Sequence, residues 1–436
     1  MAFYIYGIIL SFVILAYIKA GVRFSLFNIY FGLFLLFYGP AFFIYNASEK
    51  LFEKNYAITS VNMLSCFVVG FFVGKFLFRE VKGKKRVART NYNNWTDYLP
   101  EENVKIKQGL LYFLLLLSAA IIVTGLFFYG GISSLFTLLS NPLADAELVK
   151  QLRQDSGVSG WIAPFYVYTT SGIGRLLAFV FIGLALRKKS PLQVFAAFAF
   201  AILLSISYLA NMSKSSFIVF YCQLLFFMML FFNIRINFRK SLLYVSLIIP
   251  LLIGVYLVAT NAGDAGTALD LIGHRIFVEP IRVLQLYPKY YPDILPFANG
   301  MNIRLVHDFF SSDNYVPAHV AVTGGLEHAS FNAMFIADAY VDFSYFGVVI
   351  QSIFVGYLLS YLDFLLYRKN NYLQKALMSA LLIGIFSMIN SGLITSLIGF
   401  GLVTLPILAY FLRDRRRRRI YIGPSDVEYT EQFKVI

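Results

Sequence analysis

The chain is 436 residues long, enough for two or three soluble domains. Apolar residues make up 59% of it and charged residues only 14%, against the ~25% charged typical of soluble chains, so a soluble enzyme or binding module is excluded. The net charge of +14 does not indicate nucleic acid, because most of the 37 Lys and Arg fall in six clusters at every second connection between apolar runs. That is the positive-inside pattern, and it reports topology and contact with anionic membrane lipid.

The apolar runs are roughly 18–22 residues each, long enough to cross the hydrocarbon core as helices. In chain order, spanning helices are expected at 2–19, 26–46, 58–78, 108–129, 161–186, 192–210, 215–233, 241–259, 345–366, 375–390 and 396–412. The fold class is therefore an all-α polytopic membrane protein, with about eleven transmembrane helices and one large external loop. Residues 1–259 carry the first eight helices, 260–344 the loop, 345–412 the last three helices, and 413–436 a basic cytoplasmic tail. The first run, MAFYIYGIIL, has no basic region before it and no small-residue cleavage site, so it reads as a retained helix. Cys66 and Cys222 fall inside apolar runs and are expected to be buried, reduced and structural.

The basic clusters begin at Lys19, Lys75, Arg187, Arg235, Arg368 and Arg413. Placing all of them inside puts the N-terminus outside and the C-terminus in the cytoplasm. An even number of helices would move at least one cluster to the wrong face.

Two external segments stand out. Near 142–154 a short amphipathic helix is expected, with Asn141 as N-cap and Pro142 at the first helical position. Asp145 and Glu147 come early and Lys150 and Arg153 late, as the helix dipole favours, and Leu148, Val149 and Leu152 form an apolar stripe. The second segment, 260–344, holds nine acids, four bases and all four histidines of the chain (His274, His307, His319 and His328). Loops longer than about 15 residues in compact proteins are usually functional, so chemistry is expected here.

Basic residues outside the cytoplasmic clusters oppose the positive-inside bias and point to an external anion. A phosphate suits them, because guanidinium groups bind it through paired, charge-assisted hydrogen bonds. Arg153 precedes Gly157 and Gly160; Arg275 and Arg282 stand early in the large loop; Lys214 lies in the short turn Asn211–Ser216. Arg175 lies within a spanning helix, where a charge costs about 2.5–3.5 kcal/mol or more, so it should face a polar cavity or an acidic partner. The bland alternatives are structural ion pairs, snorkelling and, for Lys214, interfacial anchoring. Glu327, His328 and Asn332 lie close together, with Asn332 one helical turn beyond the histidine. An imidazole beside an amide and a carboxylate suits a general base for a hydroxyl nucleophile; a solvated loop histidine is the alternative. The loop aromatics read mainly as an interfacial belt. The histidine spacings match no metal motif, and the chain has no G-x-x-x-x-G-K-[ST] loop, so neither metal nor cofactor is expected.

This plan resembles the Wzy-type O-antigen or capsule repeat-unit polymerases, which are related to the O-antigen ligases. The resemblance rests on the eleven-helix plan with its large outer loop and on Arg153-Gln-Asp-Ser-Gly157-Val-Ser-Gly160 before a spanning helix. It rests also on the pair Arg275 and Arg282, and on the stretch from Asn332 through Tyr340, Phe343 and Phe346 to Gly347. It implies a metal-independent glycosyltransferase of the bacterial inner membrane with a periplasmic active side. Such an enzyme moves a growing glycan from undecaprenyl diphosphate onto the terminal sugar of another lipid-linked repeat unit. Arg153, Arg175, Arg275, Arg282 and Lys214 would then bind the diphosphate, and His328 or Glu327, with Asn332 beside them in the catalytic set, would orient and deprotonate the acceptor hydroxyl. A chain-length-regulating co-polymerase is the implied protein partner. An O-antigen ligase is the alternative within this chemistry. A lipid-linked oligosaccharide flippase is the alternative of another class, although the chain shows none of the internal repeats common in transporters.

Overall fold

The computed structural model describes residues 2–20, 25–41, 54–82, 104–128, 132–133, 136–137, 162–188, 190–210, 214–232, 234, 265–311, 316–322, 333–367 and 371–414. The expected helix at 241–259 and the amphipathic helix near 142–154 lie outside these residues. Ten of the eleven expected helices appear. They are α1 (Ala2–Ala20), α2 (Leu26–Tyr38), α3 (Lys54–Lys82), α4 (Gln108–Phe128), α5 (Ala163–Lys188), α6 (Pro191–Ala210) and α7 (Lys214–Phe231). After the large loop come α10 (Ile336–Tyr367), α11 (Tyr372–Asn390) and α12 (Thr404–Leu412), the last preceded by a π turn at Thr395–Gly399. Among the described residues seven segments are long and apolar enough to cross a membrane, and three shorter apolar helices accompany them, so the chain is an all-α polytopic membrane protein.

The described residues of the segment 260–344 are largely helical. Residues 265–290 form one helix, α8, interrupted by a π turn at His274–Val278; α9 (Arg304–Phe310) and a single turn at Ala318–Ala321 follow. Helix α10 begins at Ile336, nine residues before the expected start at 345, but its axis breaks where the sequence reading placed that start. Phe343 (φ −140°, ψ 27°) and Ser344 (φ 54°, ψ −149°) are non-helical and divide it into 336–342 and 345–367. The first piece is buried at Ile336, Ala337, Ala339 and Val341, so it belongs to the bundle rather than to a solvated loop. Gly347 closes the bend, because a side chain there would strike the Ala339 carbonyl.

Two packing devices hold the bundle. The first is the seam between α3 and α10, the most extensive helix pairing among the described residues. Gly70 and Gly74 on α3 face Ser352 and Gly356 on α10 so closely that a Cβ on Gly74 would strike the Ile353 carbonyl, and one on Gly356 the Phe71 carbonyl. Small residues four apart on both partners let the backbones touch, which gives dispersion contact where lipid offers no hydrophobic drive. Beside the seam, α2 lays Phe27 on Phe71 at 4.1 Å between ring centroids and Phe34 on Phe67 at 4.6 Å.

The second device is built around α5, which is buried almost all round from Gly174 to Ala185. A π turn at Thr169–Ile173 precedes Arg175, and α6, α7 and α11 surround it. Both cysteines are less buried than expected: Cys66 is half-buried, and Cys222 is exposed on α7, where an apolar side-chain face can be left open to lipid.

Described residues of the basic clusters meet at one end of the bundle. Lys75 of α3 lies over the Phe27 ring near the start of α2, Lys82 lies near Tyr361 and Phe364 of α10, and Arg187 lies over Tyr372 at the start of α11. Residues 105–107 pair through the backbone with 412–414 at the same end. Here Asp363 accepts from the backbone N–H groups of Leu26 (2.7 Å) and Phe27 (3.2 Å), while Ser25 accepts from Asn28 N–H. The orphan donors that open α2 are thus satisfied partly from within and partly by a distant helix.

Candidate polar site at the end opposite the basic clusters

The other end of the bundle gathers the C-terminal ends of α2 and α11, the start of α3, helix α8 and the short helical piece 336–342. The backbone fixes this piece from several sides. Phe335 N–H donates to the Met388 carbonyl (3.3 Å), and Met334 N–H donates to the Tyr38 hydroxyl (3.2 Å). On its other side runs the loop 297–303, where Ala298 N–H donates to the Val341 carbonyl (2.8 Å) and Asn299 N–H to the Asp342 carbonyl (3.0 Å). This loop turns through positive φ at Asn299 and Gly300. The turn aims the N–H groups of Gly300 (3.0 Å) and Asn302 (3.2 Å) at one oxygen of the Asp342 carboxylate. Asp342 is only 2% exposed, so this carboxylate is a structural anchor.

Asp338 lies one turn earlier on the same helical face, and its surroundings differ. Its carboxylate hydrogen-bonds the Asn302 side chain, whose Oδ1 accepts from Ala318 N–H at 3.0 Å. Its Oδ2 lies against Gly392, where a methyl group would collide with it. Among the described residues no Lys, Arg or His pairs with Asp338, and the side chain keeps partial access to solvent. Beyond Gly392, the hydroxyls of Ser387, Ser391 and Ser396 lie 2.7–3.4 Å from one another. Tyr287 and Tyr291 close the α8 side: burial pushes both phenols upward, and the Asp338 charge adds to each shift. They remain neutral hydroxyls at physiological pH. The Tyr56 hydroxyl reaches Asp293 at 3.2 Å on the rim. No three His, Cys, Asp or Glu side chains among the described residues form a metal-binding set.

Of the residues expected to bind a diphosphate, Arg275 is exposed on the π turn of α8. Arg282, three residues after Glu279 on the same helix, pairs with it at 3.0 Å, both side chains being partly exposed. Lys214 opens α7. Arg175 stands apart from them. It is 1% exposed and its partners are neutral: Nε donates to the Thr170 carbonyl (3.3 Å), one terminal nitrogen to Gln223 Oε1 (2.6 Å) and the other to the Ser216 carbonyl (3.2 Å). Its guanidinium lies over the Tyr208 ring at 4.9 Å, and Gln223 in turn donates to the Ser379 carbonyl at 2.8 Å. The group therefore ties α5, α6, α7 and α11 together. Arg153, Glu327, His328 and Asn332 lie outside the described residues.

Sequence reasoning passed over Asp338, Asp342 and Asn302. The two acids were counted among the nine of the large loop, although they stand four apart in the apolar run Phe335-Ile-Ala-Asp338-Ala-Tyr-Val-Asp342-Phe. An acid pair at helical spacing inside such a run was the available signal. Compared with protein-family models, with curated proteins and with solved structures, the chain finds no match in any of the three.

Proposed function

We propose that this protein is a polysaccharide polymerase of the Wzy type, lying in a bacterial inner membrane with its active side toward the periplasm. It would transfer a growing glycan from undecaprenyl diphosphate onto the terminal sugar hydroxyl of a second lipid-linked repeat unit. The observation that supports this reading is the polar site just described, which opens at the end of the bundle away from the basic clusters. A lipid-linked sugar substrate is amphipathic in the same sense. Its prenyl chain stays in the bilayer while its diphosphate and hydroxyl groups need polar partners at the membrane surface.

Arg275 and Arg282, the described arginines of the large loop with exposed or partly exposed side chains, are assigned to the diphosphate with Arg153 and Lys214. Their charge would stabilise the leaving group as the glycosidic bond breaks. Arg175 contributes by fixing α7, the helix that Lys214 opens, because its own guanidinium is committed to protein acceptors. His328 or Glu327, beside Asn332, is assigned to orienting the acceptor hydroxyl.

The test is a gel of surface glycan from a strain lacking the gene. The reading expects the long ladder to disappear while one repeat unit stays attached to its final acceptor. Loss of that single unit as well would point to a ligase or a flippase, and an unchanged ladder would overturn the proposal.

A further inference from the structure

Asp338 raises a question that packing does not answer. A carboxylate within a candidate membrane span costs several kcal/mol unless it is paired or used, and evolution of a stable bundle would favour a neutral residue there. Its neighbour Asp342 is explained, since two backbone N–H groups hold it and it is buried. So is Asp363 at the other end of the helix, which caps α2. Among the described residues Asp338 anchors no backbone group and has no cationic partner, and it keeps partial access to solvent. One amide, from Asn302, orients it; that amide is itself held by Ala318 N–H. Gly392 leaves room for the second oxygen, where a Cβ would collide with it. The helical piece that carries Asp338 is fixed at both ends by backbone hydrogen bonds. A partly accessible carboxylate, oriented by one amide, without a cation among the described residues and on a rigid support, has the arrangement of a general base.

We infer that Asp338 is a catalytic residue that accepts the proton of the acceptor sugar hydroxyl, with Asn302 as its positioning residue. The inference rests on the polymerase reading above and adds the group that performs the proton transfer. In the step, the acceptor O–H bond breaks and its proton passes to an Asp338 oxygen. The acceptor oxygen forms a bond to the anomeric carbon, and the bond from that carbon to the diphosphate oxygen breaks. The electron pair leaves with the polyprenyl diphosphate, whose charge the arginines meet. The proton on Asp338 then returns to solvent, so no oxidant, reductant or further reactant is required.

The experiment complements a deletion strain with wild-type protein, Asp338→Asn, Asp338→Glu and Asp338→Ser. It measures ladder length, protein level in the membrane, and the melting temperature of the detergent-solubilised protein. Expected results are wild-type level and melting temperature for Asp338→Asn, with glycan beyond one repeat unit falling about 100-fold or more, as for loss of a general base. Asp338→Glu, which keeps the carboxylate, should restore part of the ladder. Asp338→Ser serves if the Asn variant does not accumulate, because a hydroxyl still bonds Asn302. Any folded variant without the carboxylate that gives a full ladder overturns the assignment while leaving the polymerase reading intact. A ladder that is normal even in the deletion strain overturns the reading itself, and the assignment with it.

Discussion

Helix α10 carries Asp338 near its first end and Asp363 near its last, and the two are used in opposite ways. Asp363, beside the basic clusters, spends its oxygens on the backbone N–H groups that open α2, with Lys75 close by. Asp338, at the far end, is left with one amide and no cation among the described residues. The same contrast runs along the whole helix. Its basic half is locked to α3 by glycine contacts that leave no room for change. Its other half bends at Ser344 and folds back so that Asp342 accepts from the backbone of the 297–303 loop. An intramembrane charge therefore does not by itself mark a functional site; the partners decide. Arg175 makes the point again, being wholly buried yet fully occupied with neutral acceptors.

Four experiments would break or sharpen this comparison. The largest effect is expected at the seam. Gly74→Leu or Gly356→Leu drives a side chain into the facing backbone, and the protein should fail to accumulate in the membrane. Normal accumulation would show that the basic half is not the rigid one. Next comes Asp363→Ala, which strips an acceptor from two buried N–H groups and should destabilise the fold by about 1–3 kcal/mol. A lower melting temperature with unchanged activity per folded molecule is the expected pair of readings. Loss of activity without loss of stability would erase the distinction between the two aspartates.

A smaller effect, of opposite sign, is expected at the bend. Ser344 holds φ at 54° with ψ at −149°, a conformation costly for any residue with a Cβ. Ser344→Gly should raise stability by about 1 kcal/mol and keep activity, whereas Ser344→Val should lower both. The smallest effect concerns pH. Burial holds the His319 imidazole below its ordinary value, so the fold favours the neutral ring. The unfolded chain binds a proton first as pH falls below about 6.5. Stability is therefore complete above that value and declines as pH drops through the lowered folded-state value. The Ala318–Asn302 contact beside it should loosen in the same range, and His319→Gln should remove that part of the acid sensitivity. Hydrogen exchange at Ala318 N–H as a function of pH would show it.

Much of the fold could be read from the sequence because length and hydropathy govern which segments cross a bilayer. Ten of eleven expected helices appear in the described residues, with ends displaced by up to nine residues. The break in α10 falls at the expected helix start because the polar stretch around Ser344 interrupts the apolar run there. The seam was also legible, as Gly70-x-x-x-Gly74 and Ser352-x-x-x-Gly356-x-x-x-Ser360, but it was not read. The site was less legible. Asp338, Asn302, Gly392 and Tyr287 come from four distant parts of the chain, and only the folding-back of 336–342 brings them together. Arg175 was expected to face a polar cavity or an acidic partner, whereas its neutral partners Gln223, Thr170 and Ser216 depend on a π turn and on helix neighbours that hydropathy does not encode.

The most direct test of the central claim is reconstitution of the purified protein in lipid nanodiscs with polyprenyl-diphosphate-linked repeat units. The account predicts glycans of two or more repeat units, with one free polyprenyl diphosphate released for each linkage formed. Repeat units that stay single with active, folded protein present, and no polyprenyl diphosphate released, would contradict it.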